Sequence, residues 1–222
     1  MHRQPIDLSV PIGPDTFGPP STNQQLQMEH HHKGPGFWQV THVSHSVHTG
    51  THFDTPWHVY EDGAKTSDVS LNDVCGRAAL FELTKGPGEA VTEDDLGRTD
   101  PGLQPGQLAV LHTGWSDEMW GKFPDYYTQS PWLHESAAHW LAARKPKAIV
   151  FDFFEEYCAR QPDFTSEEFI VHRILLGAGV FLIEQGTNFH LLRGKNAFLY
   201  PAFYKLQQSD GAPARLFALT ED

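Results

Sequence analysis

The eleven residues HTGTHFDTPWH, 48 to 58, restrict this 222-residue chain more than any other stretch. Three histidines, an aspartate and a proline crowd together there, beside Val47, Trp57 and Val59, which favour burial. A helix is disfavoured, because Gly50 and Pro56 break it and Thr49 and Thr51 are stiff at χ1. On an extended path side chains alternate, so the even-numbered His48, His52, Asp54 and His58 point the same way. Gly50, on that face, removes the side chain that would stand between the two histidines. Imidazoles and a carboxylate on one face form a donor set for Zn²⁺, Mn²⁺ or Fe²⁺. An unpaired buried carboxylate is strongly unfavourable, whereas one that binds a cation is not. The bland alternative is a hydrogen-bonded core network or a solvated turn.

A second stretch, FIVHRILLGAGVFLIEQG, supports the metal reading. His172 precedes the Gly177–Gly179 turn, and Glu184 closes the apolar run Val180-Phe181-Leu182-Ile183. A glutamate ending an almost wholly apolar strand requires a partner unless it emerges into solvent there.

The acidic balance of the chain, a net −12, argues against nucleic acid and against an anionic membrane surface. No segment approaches the roughly 20 apolar residues of a membrane helix, and the first residues lack an apolar secretory core. Cys75 and Cys158 form no CxxC pair, so reduced thiols in a cytoplasmic protein are expected. Neither has a local histidine or a cationic setting suited to a nucleophile. GxSxG, P-loop and GxGxxG motifs are absent, which removes support for serine hydrolase, kinase and dehydrogenase readings.

No repeat or linker divides the chain, so one domain over 1–222 is expected. Residues 11–36, rich in Pro and Gly, read as a long loop or flap. Strands are expected over 37–48, 78–83, 107–112, 147–152 and 180–184, between Gly and Pro clusters. One helix follows Ser130-Pro131, with Leu133, Ala137, Trp140 and Leu141 on its apolar face. Another starts at the capping-box pattern Thr165-Ser166-Glu167-Glu168 and stops at Gly177. The pattern predicts a mixed β/α domain of α/β class with at least one buried sheet.

HTGTHFDTPWH resembles the H-x-G-T-H-x-D-x-P-x-H signature of the cyclase-like metal hydrolases, the family of bacterial kynurenine formamidase and isatin hydrolase. IDLSVPI, VLHTGW and HRILLGAGVFLIEQ are similar to three further segments of that family, in the family's order. The resemblance implies a swivelling β/β/α fold, assembly as a homodimer or homotetramer, and one or two Zn or Mn ions per subunit. It implies metal ligands at His48, His52 and Asp54, with His172 and Glu184 completing a second site bridged by Asp54. It implies an acid/base role for His58.

The implied reaction is hydrolysis of a C–N amide bond, linear as in an N-formyl arylamine or cyclic as in isatin. Lactone or ester hydrolysis is the nearest rival, and a metal- or ligand-binding protein without turnover is the rival outside enzymes. Three departures bear on the substrate: His112 stands for the family's usual Arg, Phe153 and Phe154 follow Asp152, and Phe53 and Trp57 replace smaller residues. They predict a bulkier, more aromatic pocket for a small aromatic substrate, with Phe37, Trp57 and His112 as candidate contacts. His30-His31-His32 read as a solvated run, His42 as structural, and His134 and His139 as helix-surface residues.

Overall fold

The computed structural model describes residues 4–221. The strands are β1 (Ile6–Asp7), β2 (Gln27–His32), β3 (Gln39–Ser44), β4 (His52–Asp54), β5 (Gly76–Glu82), β6 (Ala90–Val91), β7 (Leu108–His112), β8 (Trp132–Leu133), β9 (Ala148–Phe151), β10 (Phe181–Glu184), β11 (Asn196–Phe203) and β12 (Gly211–Glu221). The helices are α1 (Leu71–Val74), α2 (Glu93–Thr99), α3 (Trp115–Met119), α4 (Asp125–Thr128), α5 (Glu135–Arg144) and α6 (Ile170–Gly177). The main sheet runs β1-β12-β11-β5-β7-β9-β10-β4, and β4 pairs in turn with β12, so the sheet closes on itself. β5, β7, β9 and β10 are parallel to one another, and β4, β11 and β12 run antiparallel to their neighbours.

The parallel strands are buried on both faces, as their unbroken apolar runs require. Leu108, Val110, Ala148, Val150 and Ile183 point into one core with Leu8, Phe53, Leu199 and Leu216. Ala109, Leu111, Ile149, Phe151 and Leu182 point the other way, onto Leu96, Leu141, Leu175 and Leu176 of the helices. Burying each large side chain contributes roughly 1.5–3 kcal/mol. This mixed architecture agrees with the α/β expectation.

The four apolar strands expected from sequence occur within a residue or two of their predicted ends. The 37–48 run is a strand only over Gln39–Ser44, and His45 to His48 turn away. Residues 11–36 are not all loop: Gln27–His32 pair with Gln39–Ser44 in an exposed hairpin. Helix α5 starts after His134, whose Nδ1 accepts the Ser136 N–H at 3.1 Å. Ser130 serves elsewhere, accepting the Phe154 N–H at 2.8 Å, while Trp132–Leu133 pair with β6. Ala137 and Leu141 are buried as expected. The Thr165–Glu168 capping box exists but caps a short 3₁₀ turn, and α6 begins two residues further on.

Candidate metal centre

Strand β4 is three residues long, and its pleat sends Phe53 to one side and His52 and Asp54 to the other. Phe53 lies parallel to Phe203, ring centroids 4.2 Å apart, so it packs in the core and does not bulk out the pocket. His52 is in register with Glu184 of β10, which puts an imidazole beside a carboxylate on the helix-facing side. The remaining residues of the motif leave the extended path. His48 sits in the turn before β4, and His58 ends the 3₁₀ turn Pro56–His58 after it.

Gly50 therefore has a different reason from the one its place on an extended face suggests. Its φ is +68°, and a Cβ there would fall 2.3 Å from the Ile12 side chain. Gly211 has a closer bearing on the site. A Cβ on it would meet His48 Cε1 at 2.9 Å and Asp54 Oδ1 at 3.0 Å, so its bareness makes room for both.

The distances describe a compact cluster. His48 Nδ1 is 2.9 Å from Asp54 Oδ1, and its Nε2 is 2.9 Å from Asp210 Oδ2. His52 donates from Nδ1 to the Gly50 carbonyl at 2.7 Å, which turns Nε2 toward Asp54 Oδ1 (3.5 Å) and Glu184 Oε2 (3.6 Å). His172 Nε2 is 3.0 Å from Glu184 Oε1 and 3.6 Å from Asp54 Oδ2. Its other nitrogen is 3.1 Å from Glu156 Oε2, which also accepts the His172 backbone N–H. His58 Nδ1 is 2.9 Å from Asp210 Oδ2.

Opposite charges shift the protonation of these groups. Burial opposes charge on His48, but the Asp54 and Asp210 carboxylates overcome it and lift the pKa to about 10. His52 and His172 are also raised against their burial, His52 by Asp54 and Glu184, His172 by Asp54, Glu156 and Glu184. Asp54 is held well below the carboxylate range despite complete burial, because His52, His48 and His172 surround it. His58 goes the other way: burial first, then the charge of His48, outweigh its bond to Asp210 and lower its pKa. Glu155, fully buried beside Glu184, is pushed well up by burial and by that like charge.

The donor set fits a divalent cation. Asp54 Oδ2 and both Glu155 oxygens are buried without a hydrogen-bond partner, which is costly for a carboxylate unless a cation reaches it. Among the described residues three groups bring ligand atoms within 4.8 Å of one another: His48, Asp54 and His58; His52, Asp54 and Glu184; Glu155, His172 and Glu184. The other four residues predicted as ligands from sequence, His48, His52, His172 and Glu184, thus gather around Asp54. His58 stands close enough to belong to the ligand cluster and also lines the cavity.

That cavity has a volume of about 470 Å³. Trp57, Phe154, Phe164 and Phe169 line it, as do Pro19, Ser21 and Thr22 from the segment read as a flap. Phe169 stacks on the His172 ring at 4.0 Å. Of the predicted substrate contacts only Trp57 lies here. Phe37 is 87% exposed at the tip of the β2–β3 hairpin. His112 is buried elsewhere, its Nδ1 2.9 Å from Glu82 Oε2. Phe153 is core, and Phe154 alone of that pair adds bulk to the pocket.

Sequence reasoning missed Asp210, Glu155 and Glu156. Asp210 sits in the turn-like QQSDGAP, where an aspartate before glycine signals only a turn. The acidic pair offered a signal, since two charges directly after Phe153-Phe154 need partners in a buried setting.

Among the described residues no helix is long and apolar enough to cross a membrane. A kynurenine formamidase of Bacillus mycoides (strain KBAB4) is 24% identical over 211 residues, covering 95% of this chain and 94% of that protein. An isatin hydrolase solved with the product analogue thioisatinate superposes with a TM-score of 0.84 at 20% identity, covering 99% of this chain and 93% of that one. A potential metal-dependent hydrolase with cyclase activity superposes with a TM-score of 0.75 at 25% identity, each chain covered in full. These likenesses agree with the swivelling β/β/α fold expected from the motifs. The family described as "Putative cyclase" matches residues 6–155, and with this geometry around Asp54 the chain belongs to that family.

Proposed function

We propose that the protein is a metal-dependent hydrolase that cleaves a C–N amide bond in a small aromatic substrate, with His58 as acid/base. The observation that carries the reading is His58 beside a cluster of buried imidazoles and carboxylates that lines an aromatic cavity. His48, His52 and Asp54 would hold one Zn or Mn ion, and His172 and Glu184, with Asp54 shared, a second. Such a cation supplies Lewis acidity, lowering the pKa of water toward about 7 and polarising a carbonyl.

The chain's own residues do the rest. His58 donates its Nδ1–H to Asp210 Oδ2, which leaves Nε2 as the basic nitrogen. His58 Nε2 accepts the proton of the attacking water and returns it to the departing nitrogen. Trp57, Phe154 and Phe169 stack on the arene and exclude bulk water. Like the kynurenine formamidase and isatin hydrolase it resembles, the protein would take a linear N-formyl arylamine or a cyclic amide. A homodimer or homotetramer belongs to the same reading. The exposed Phe37 and Trp38 of the hairpin support it, and sedimentation in solution tests it.

Incubation with N-formylkynurenine, isatin and simple lactones, with bound metal quantified, tests the reading. Turnover of an amide that disappears on chelation and returns with Mn²⁺ or Zn²⁺ is expected. Turnover of lactones alone would transfer the protein to ester chemistry, and tight binding without turnover would make it a binding protein.

A further inference from the structure

We propose that Glu155 is a further ligand for the cation held by His172 and Glu184, making the inner end of the site richer in oxygen donors than its outer end. Glu155 is fully buried, and neither carboxylate oxygen has a hydrogen-bond partner. Its Oε1 lies 3.6 Å from His172 Nδ1, and its ligand atom lies within 4.8 Å of those of His172 and Glu184.

The Arg160 guanidinium acts on Glu155 only from beyond ion-pair distance. Arg160 directs its Nε and Nη2 to the carbonyls of Tyr127, Ser130, Pro131 and Phe154, at 2.9 to 3.1 Å, and makes no ion pair with Glu155 within 4 Å. An adjacent carboxylate, Glu156, is already used by the His172 ring and backbone. Glu155 thus has two buried oxygens without a hydrogen-bond donor from the chain, and the residue it pairs with, His172 at 3.6 Å, belongs to the ligand cluster. A cation removes that cost, and no rearrangement of the fold is needed to bring it within reach.

Donor chemistry then separates the two ends. His48 and His58 give the outer place two imidazoles beside Asp54, whereas Glu155 and Glu184 give the inner place two carboxylates beside the His172 imidazole, with Asp54 Oδ2 3.6 Å from that ring. Oxygen-rich sets suit harder ions such as Mn²⁺, and nitrogen-rich sets suit Zn²⁺. The inference rests on the cation-binding part of the function proposed above, not on the substrate. A failed amide assay with ions still bound would leave it standing.

The test is Glu155→Gln, which keeps shape and removes charge. Wild-type and E155Q protein are stripped with a chelator and titrated with Mn²⁺ and, separately, Zn²⁺, counting ions per chain by elemental analysis. The expected result is one ion fewer per chain in E155Q, or one ion bound at least about tenfold more weakly, with the larger loss for Mn²⁺. Equal stoichiometry with affinities within about threefold overturns the proposal. Melting temperature gives a second reading independent of folding yield. Without ions E155Q is expected to melt above wild type, because it removes a carboxyl group whose ionisation burial opposes, and with ions the order should reverse. If Glu155 merely balanced Arg160, E155Q would melt lower under both conditions, and the ligand assignment would fall.

Discussion

The two ends of the ligand cluster differ in a way that the fold imposes. At the outer end His48 and His58 meet Asp210, whose side chain is 36% exposed and which sits in the turn before β12. At the inner end Asp54, His172, Glu155 and Glu184 come from β4, α6, the loop after β9 and β10, and each is buried. Asp54, His172 and Glu184 reach the same cavity as His48 and His58, but Glu155 does not line it. Under the proposed function, proton transfer belongs to the first place and ion retention to the second.

Four expectations sharpen or break that contrast. The largest effect is expected from Asp54→Ala, which removes the carboxylate common to both ends. Elemental analysis should find the protein stripped of metal, and retention of a full complement would break the contrast at its centre.

His58→Ala should separate the ends. Turnover is expected to fall by about 10²–10⁴-fold with metal content largely intact, measured on one preparation. A variant that lost its metal instead would make His58 a ligand.

Asp210→Asn acts through His58 and His48, so it is a positioning change with a smaller effect. A decrease of about 10–100-fold in kcat or metal affinity is expected. Its signature is a shift in the pH profile of kcat/KM, which a purely structural loss would not produce.

The mildest effect is on stability against pH. His48, with its pKa raised to about 10, stabilises the metal-free fold fully below about pH 6.5 and loses that contribution as pH rises through about 10. Metal-free protein should therefore melt lower as pH increases across that window. Metal-loaded protein should do the opposite at fixed ion concentration, because a cation must displace protons and binds better as they leave. Calorimetry of both forms reads the crossing, and parallel curves would argue that no cation competes for these nitrogens.

The sequence made some of this plain and hid the rest for physical reasons. β7 and β9 were legible because apolar runs between turn residues leave few alternatives to a doubly buried strand. β11 and β12 were not, because Pro201 and Pro213 interrupt them and read as breakers, although closure of the sheet tolerates both. The hairpin strand QMEHHH has no apolar alternation, so nothing distinguished it from loop. His48, His52, Asp54 and His58 do converge, but not by a continuous extended path. Only His52 and Asp54 share a strand face, and two turns bring the others. Asp210 lies more than 150 residues beyond the motif it serves, and only the β12–β4 pairing brings it there. Side-chain periodicity carries no information about a pairing at that separation.

Strand β4 is the closing strand of the sheet. It joins β10 to β12 and so completes the ring, with Leu182 to Glu184 on one flank and Gly211 to Pro213 on the other. Two of the residues proposed to grip the ion are thus stitches in the seam that shuts the barrel-like wall. They cannot drift independently of it. Diversification toward new substrates would then fall to Trp57, Phe154, Phe164 and Phe169, which decorate the mouth and belong to no strand of the seam.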